Sequence, residues 1–292
     1  MIYKILLFTN FLLFIFGGSD CQTLDSLKIE SEDSIQQIRK IDSALATENL
    51  FKLNSRPETF YSVSYEARAK AVHKLVKDCI LFYESRFPPK NFSVKLYVLN
   101  KADWEKVPFG QPYGLIGYFP GNNLEIIAAE KNAMARLVGA PDDSVKTDSV
   151  VSGYDMGALH ELGHYFFITL NGIDKDLWFN EFIADYFMIC YIKEKHVGFE
   201  IEEMAKITYS SPQHKTLDDF QKLYASGLGP ANYDWYQRKF AQLGFALYPK
   251  LKLELIKQIL QNYSAVGKNI DCTELIEKLA PDIMNSWLKG MQ

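Results

Sequence analysis

The chain has 292 residues, of which 48% are hydrophobic and 14% aromatic. This composition supplies enough apolar surface for a sizeable core and excludes a mostly disordered chain. With 32 basic and 36 acidic residues the formal net charge is −4, so no broad positive face is available for a phosphate backbone and no nucleic-acid partner is expected. The length predicts a single unit built from two packed lobes.

The first 21 residues have the pattern of a secretory signal peptide. A lysine precedes an apolar run at 5–16, and small residues follow at 17–19. The run is shorter than the ~20 residues that a membrane-spanning helix needs, so we predict cleavage after Cys21 and no stable membrane span afterwards. An uncleaved anchor is one alternative. Lipid attachment to Cys21 is another, disfavoured by the preceding Asp20, and the mature protein is expected to be secreted or periplasmic.

Three cysteines remain after that cleavage: Cys79, Cys190 and Cys272. An odd number without short spacings is not a disulfide framework. Cys79 and Cys190 lie in apolar helical patterns, where a cysteine usually behaves as a small buried hydrophobe.

The N-terminal part predicts helices and then strands. A helical apolar pattern begins after residue 22, and 22–60 is assigned to an N-terminal helical extension. A long amphipathic helix is predicted over 64–87, where His73 is expected to be a surface or boundary residue without a ligand role. The segment 92–100 (FSVKLYVLN) predicts a strand covered on both faces.

The segment 110–129 predicts an edge hairpin, with a turn at 120–123 and a strand at 124–128. A polar loop follows at 139–153, and from residue 154 onward helices dominate. They are predicted at 154–170, 177–196, 201–210, 215–226, 232–248, 250–263 and 272–289. The predicted fold class is α+β.

Residues 160–164 read His-Glu-Leu-Gly-His. Two histidines four apart on one helix project from the same face, at a separation that lets both imidazoles reach one tetrahedral Zn²⁺. Glu161 between them can take a proton from metal-activated water and pass it to a leaving amine. The flanking residues are apolar, and burying Glu161 unpaired would be costly, whereas a metal site uses all three polar residues.

A second pair of candidates lies in the next apolar helix. Glu181 and Asp185 are four residues apart and share a face. A catalytic zinc needs a third protein ligand, which Glu181 can supply, and Asp185 can accept the outer N–H of a zinc-bound histidine and fix its tautomer. The alternative is a solvated helix face, for which the surrounding aromatic residues leave little room.

Together these residues resemble the gluzincin zinc peptidases, the group that includes thermolysin, the zinc aminopeptidases and small secreted peptidase MA-like relatives. The matching pattern is His160-Glu161-x-x-His164 followed by Trp178-x-x-Glu181-x-x-Ala184-Asp185. The resemblance is specific over 154–190 and continues weakly through 232–248 and 281–287.

The resemblance implies one Zn²⁺ per chain, held by His160, His164 and Glu181. It further implies that Glu161 is the general base and that Asp185 accepts a hydrogen bond from a histidine ligand. It also implies a zincin-like two-lobe fold over 61–292, with a sheet and zinc-helix lobe at 61–170 and a helical lobe at 171–292.

Two departures limit what the resemblance implies. Phe182 stands where relatives usually have a glycine, which narrows the space behind the metal. The Gly-x-Met-Glu-Asn strand of the zinc aminopeptidases is poorly matched by 121–125, GNNLE, so aminopeptidase activity is less strongly implied.

Negative charge that develops on a substrate carbonyl needs a donor besides the metal. By resemblance, Tyr233 fits this role best, followed by Tyr236 and then by His214 as the thermolysin-style alternative. An extended substrate commonly pairs with an exposed strand, for which 124–129 is the candidate, the alternative being an ordinary sheet edge.

These features favour a secreted zinc metallopeptidase acting on a peptide or protein. Two alternatives stay open: a secreted binding or scaffold protein that retains a structural or relic zinc site, and a zinc hydrolase of a non-peptide amide or ester. The sequence carries no signal for an oligomeric state.

Overall fold

A computed structural model describes residues 32–47, 49–88, 90–133, 136, 155–172, 176–195, 197, 201–206, 212–224, 228–266 and 271–291. The signal peptide predicted at 1–21 and the loop predicted at 139–153 lie outside these residues. The fold class is α+β, as predicted. The chain forms two compact units, the first ending at Ala158 and the second beginning at Leu159. The predicted division lies at residue 170, after the helix that carries both motif histidines. The boundary between the two units instead falls inside that helix.

The first unit contains a five-stranded mixed sheet with helices. Its elements are α1 (Glu32–Thr47), β1 (Phe51–Leu53), β2 (Glu58–Tyr61), α2 (Glu66–Glu84), β3 (Lys95–Leu99), α3 (Lys101–Lys106), β4 (Gly117–Phe119) and β5 (Leu124–Ala128). The strand order is β1-β2-β3-β5-β4. The β2–β3 and β3–β5 pairs are parallel, and the β1–β2 and β4–β5 pairs are antiparallel.

The hairpin predicted at 110–129 forms as β4 and β5, and Asn123 closes its turn in a left-handed conformation at φ 49°. The prediction that 124–128 is the exposed edge strand is wrong. β5 lies between β3 and β4, and all five of its residues are buried. Because both of its sides are already paired, a substrate strand cannot add at 124–129. In the described sheet the edge strands are β1 and β4.

The segment 22–60 differs from the predicted helical extension. Only Glu32–Thr47 is described as helix, while β1 and part of β2 follow within the same segment. Helix α1 also belongs to the core of the first unit, because Ile41 and Leu45 pack with residues of β3, β4 and β5. The side-chain amide of Asn122 ties the hairpin turn to α1 by donating to the carbonyl oxygen of Ile38 at 3.0 Å.

His73 on α2 is buried, with 8% of its surface exposed, and therefore lies deeper than the predicted surface or boundary position. Its Nδ1 lies 2.8 Å from Thr59 Oγ1 and its Nε2 lies 3.0 Å from Ser55 Oγ. The Thr59 hydroxyl donates to the carbonyl of Pro57 at 3.1 Å, so Nδ1 carries the proton and Nε2 accepts from Ser55. Burial, with a contribution from Lys77, lowers the pKa of His73 and keeps the ring neutral.

The second unit is helical in its described part. Its elements are most of α4 (Met156–Thr169), α5 (Leu177–Lys195), a 3-10 turn (Ile201–Ala205), α6 (Leu217–Leu223), α7 (Pro230–Val266), α8 (Cys272–Leu279) and α9 (Pro281–Lys289). The helices predicted at 232–248 and 250–263 run on as α7, with a break in helical backbone at Lys252. The helix predicted at 272–289 is divided at Ala280, because the following proline disfavours helical backbone there.

Helix α5 is buried on nearly every face and forms the centre of the second unit. Trp178 packs against Phe182, Phe240 and Trp287, with ring centroids 6.0 to 6.4 Å apart. Phe182 is fully buried and also contacts Tyr186, so this residue contributes to an aromatic core.

Cys79 and Cys190 are buried free thiols, as predicted. Within the described residues, none of the helices combines the length and the hydropathy that a bilayer crossing requires.

Candidate metal centre

Helices α4 and α5 approach closely at Gly163, the glycine of the His-Glu-Leu-Gly-His segment. A Cβ atom built on Gly163 would lie 2.4 Å from the carbonyl oxygen of Ala184 and 2.7 Å from its Cα atom. Only a glycine fits at this distance from another backbone. The close approach brings the histidine face of α4 next to the carboxylate face of α5.

Three side chains converge where the two helices meet. His160, His164 and Glu181 each offer one ligand atom, and these atoms lie within 4.8 Å of one another. The two Nε2 atoms are 3.1 Å apart. The carboxylate oxygens of Glu181 lie 3.4 Å from His160 Nε2 and 3.8 Å from His164 Nε2. These three predicted ligands are therefore brought together.

Two of these separations are those of a tetrahedral ion. With metal–ligand distances near 2.0 to 2.1 Å, two ligands of a tetrahedral zinc are about 3.3 Å apart. The two histidine nitrogens are 3.1 Å apart and Glu181 Oε2 lies 3.4 Å from His160 Nε2, whereas the 3.8 Å from His164 Nε2 is to the other carboxylate oxygen, Oε1. Two imidazoles and one carboxylate are also donors that suit Zn²⁺, so the residues fit a divalent metal.

Asp185 holds the first histidine in the orientation that a ligand needs. Its Oδ1 atom lies 2.8 Å from His160 Nδ1, and the aspartate is 2% exposed. A carboxylate at this nitrogen accepts a hydrogen bond from Nδ1–H, so that Nε2 is left to face the other two ligands. The structure thus places Asp185 where the sequence predicted it.

Glu181 is held by three neutral donors as well as by the histidines. The hydroxyl of Tyr224 donates to Oε1 at 2.7 Å. On the other oxygen, Oε2, the amide of Gln237 donates at 2.6 Å and the hydroxyl of Tyr233 at 3.2 Å. Glu181 is 3% exposed, so these bonds replace the water that a buried carboxylate loses.

The electrostatics of the cluster favour a cation at its centre. Burial opposes ionisation of Glu181, but the hydrogen bond and positive charge of His160 and His164 outweigh it and lower the pKa of Glu181 to about 2. Burial lowers the pKa of His164 to about 4. Burial also acts against the charged form of His160, but Asp185 and Glu181 stabilise its imidazolium and raise the pKa of His160 above its usual value. A metal ion would supply the same positive charge, and it competes with protons for the histidine nitrogens.

Tyr233 interacts with both Glu181 and Glu161. Besides its bond to Glu181, Tyr233 is close enough to Glu161 for that carboxylate to raise its pKa, although burial contributes most of the increase. Glu161 is partly exposed. The charge of the predicted base therefore acts on the first-choice oxyanion donor, which bonds a predicted ligand.

Tyr236 and His214, the two other candidates for the oxyanion donor, have hydrogen-bond partners other than the predicted metal ligands. Tyr236 donates its hydroxyl to the carbonyl oxygen of Thr216 at 2.7 Å. His214 is held through its backbone, since its N–H donates to the side chain of Asn232 at 3.0 Å and its carbonyl accepts from the Asn232 amide at 2.8 Å. The structure brings neither hydroxyl nor imidazole into the ligand cluster.

Sequence reasoning missed Tyr224 and Gln237. A signal for Gln237 was present, because it lies four residues after Tyr233 and shares its face of α7. Tyr224 follows the short helix α6 and had no comparable signal.

Neither the comparison with protein-family models nor the search of curated proteins finds a match to this chain. The functional assignment therefore rests on the residues of the site.

Proposed function

We propose that the protein is a secreted zinc metallopeptidase of the gluzincin type, with a zincin-like two-lobe fold and one Zn²⁺ held by His160, His164 and Glu181. The observation that carries this proposal is the convergence of their three ligand atoms, one of them on the residue directly before Glu161. Catalytic zinc sites use three protein ligands and keep one position open, whereas structural sites are usually closed by four. Secretion is proposed from the pattern of residues 1–21.

Zn²⁺ in this position would supply Lewis acidity, which lowers the pKa of a coordinated water molecule and polarises a substrate carbonyl. Glu161 directly follows a ligand on α4 and is partly exposed, which supports its role as the general base. Its carboxylate would take a proton from the attacking water and pass it to the leaving amine.

The hydroxyl of Tyr233 is proposed to stabilise the charge that develops on the substrate carbonyl oxygen. Burial and the nearby carboxylates of Glu181 and Glu161 raise the pKa of Tyr233 well above 10, so the hydroxyl keeps its proton at neutral pH. A protonated phenol beside the ligands is a suitable donor for such a charge.

The test is to measure metal content and peptide cleavage on the same purified samples. We expect about one zinc per wild-type chain, retained by Glu161→Gln and lost or much weakened in Glu181→Ala. Cleavage of a peptide library should require both residues, and Glu254→Gln, at an exposed position of α7, should behave as wild type.

Full cleavage by Glu161→Gln would refute the proposed base. A wild-type protein that stays metal-free when offered zinc would favour a binding or scaffold role. Cleavage of ester or non-peptide amide substrates alone would favour a zinc hydrolase that acts on such substrates rather than on peptides.

A further inference from the structure

We infer that Tyr224 and Gln237 are positioning residues that clamp Glu181 as a metal ligand, so that Tyr233 is free to leave that carboxylate and donate to the substrate. The inference rests on the proposed function and assigns separate roles to the three donors around Glu181. Tyr224 and Gln237 together are called the clamp.

The two clamp residues donate hydrogen bonds to the two oxygens of the Glu181 carboxylate from different parts of the chain. Tyr224, at the end of α6, bonds Oε1 at 2.7 Å, and Gln237, on α7, bonds Oε2 at 2.6 Å. Because each donor holds one oxygen, rotation of the carboxylate about its terminal bond would break at least one bond. The clamp thus fixes the orientation of Glu181 before a metal arrives.

Tyr233 is bound differently. Its hydroxyl lies 3.2 Å from Oε2, the oxygen that already accepts the shorter bond from Gln237. When the Tyr233 hydroxyl turns to a substrate oxygen, Oε2 keeps one donor and Oε1 keeps another. The Glu181 carboxylate therefore loses little hydrogen-bond stabilisation, and the departure of Tyr233 does not leave a buried carboxylate oxygen without a partner.

The chemistry of the clamp suits a metal ligand. A phenol and a primary amide are uncharged, so they stabilise an ionised carboxylate without placing a positive charge beside an incoming cation. Tyr224 is also 5% exposed and Glu181 3% exposed, so water cannot readily replace a bond that is removed. Loss of either donor would leave Glu181 freer to rotate away from the histidines.

The experiment measures the zinc dissociation constant by competition with a chromophoric chelator. The variants are Tyr224→Phe, Gln237→Met and Tyr233→Phe, with Tyr236→Phe as the matched control because the Tyr236 hydroxyl bonds a backbone carbonyl outside the cluster. We expect zinc affinity to fall about 10- to 100-fold in each clamp variant. Tyr233→Phe and Tyr236→Phe should keep a zinc affinity close to that of the wild type.

Two further readouts separate positioning from a general loss of structure. Cobalt-loaded protein should show a changed visible absorption band in the clamp variants, since that band reports the ligand geometry. At saturating zinc, peptide cleavage should return in the clamp variants but stay low in Tyr233→Phe. Circular dichroism checks that each variant is folded, and Gln237→Met, at a partly exposed position, tests the clamp even when Tyr224→Phe is unstable.

The outcomes distinguish this inference from the proposed function. Wild-type zinc affinity and an unchanged cobalt spectrum in both clamp variants would overturn the clamp and leave the peptidase proposal standing. Weakened zinc binding in these variants, with no peptide cleaved by any sample, would support the clamp and remove the peptidase proposal. A wild-type protein without zinc affinity would overturn both.

Discussion

Replacing Gly163 with alanine should force α4 and α5 apart at the metal centre. The new Cβ atom would lie 2.4 Å from the carbonyl oxygen of Ala184, 2.7 Å from its Cα atom and 2.9 Å from its carbonyl carbon, whereas ordinary contacts begin at 3.4 Å. All three atoms are backbone atoms of a buried helix, so no side-chain rotation relieves the overlap. A local displacement of about 1 Å is required, at a cost of roughly 1–3 kcal/mol for an overpacked core.

The same displacement acts on the ligand distances. Glu181 lies 3.4 and 3.8 Å from the two histidine nitrogens, and a shift of about 1 Å would take these separations well beyond the ~3.3 Å that a tetrahedral zinc requires. We expect zinc affinity to fall at least about tenfold. The metal-free protein should also unfold several degrees lower.

Chelator competition and thermal unfolding of metal-free protein measure the two effects. Gly244→Ala is the matched control, because its Cβ would meet side-chain atoms only, the nearest being the Cδ1 end of Ile189 at 2.6 Å, and no backbone atom within 4 Å. Both substitutions gain the higher helix propensity of alanine, up to about 1 kcal/mol, so their difference isolates the backbone clash. Wild-type zinc affinity and an unchanged unfolding temperature in Gly163→Ala would refute this reasoning.

Three further predictions concern other parts of the structure. Asp185→Asn should keep the shape of the site but weaken zinc binding about 10- to 100-fold, because a neutral amide supports His160 less well; chelator competition that gives an unchanged affinity would contradict this. Arg68→Met should destabilise the protein by about 3–5 kcal/mol in denaturant unfolding, because it leaves Asp155 buried without its ion-pair partner; the double replacement Arg68→Met/Asp155→Leu should recover much of the loss. Because the folded pKa of His73 is lowered, the unfolded state binds more protons below pH 6.5, and His73 reduces stability as pH falls from 6.5 through the folded pKa. The variant His73→Gln should therefore show a flatter fall in unfolding temperature over that interval, and identical pH profiles would exclude this contribution.

The ligand cluster could be predicted because its geometry is local. His160 and His164 share a face of one helix, and Glu181 and Asp185 share a face of the next, so helical spacing alone brings each pair together. The clamp could not be predicted in this way. Tyr224 and Gln237 lie 43 and 56 residues after Glu181, and their positions depend on how α6 and α7 pack.

The predictions that proved wrong involve contacts that periodicity does not encode. The strand 124–128 was recognised, but a strand pattern does not reveal whether both sides are paired, and the parallel pairing with β3 made it internal. The position of His73 was misjudged because its partners, Ser55 and Thr59, come from the β1–β2 region rather than from α2.

The order of these elements along the chain has a consequence for how the protein acquires its metal. During synthesis α4 and α5 leave the ribosome before α6 and α7, so all three ligands emerge ahead of the residues that fix Glu181. An ion captured by the nascent helix pair would bind loosely and exchange freely. Docking of α6 and α7 would then slow its release, and helices made after the ligands would set the lifetime of the metal in the finished protein.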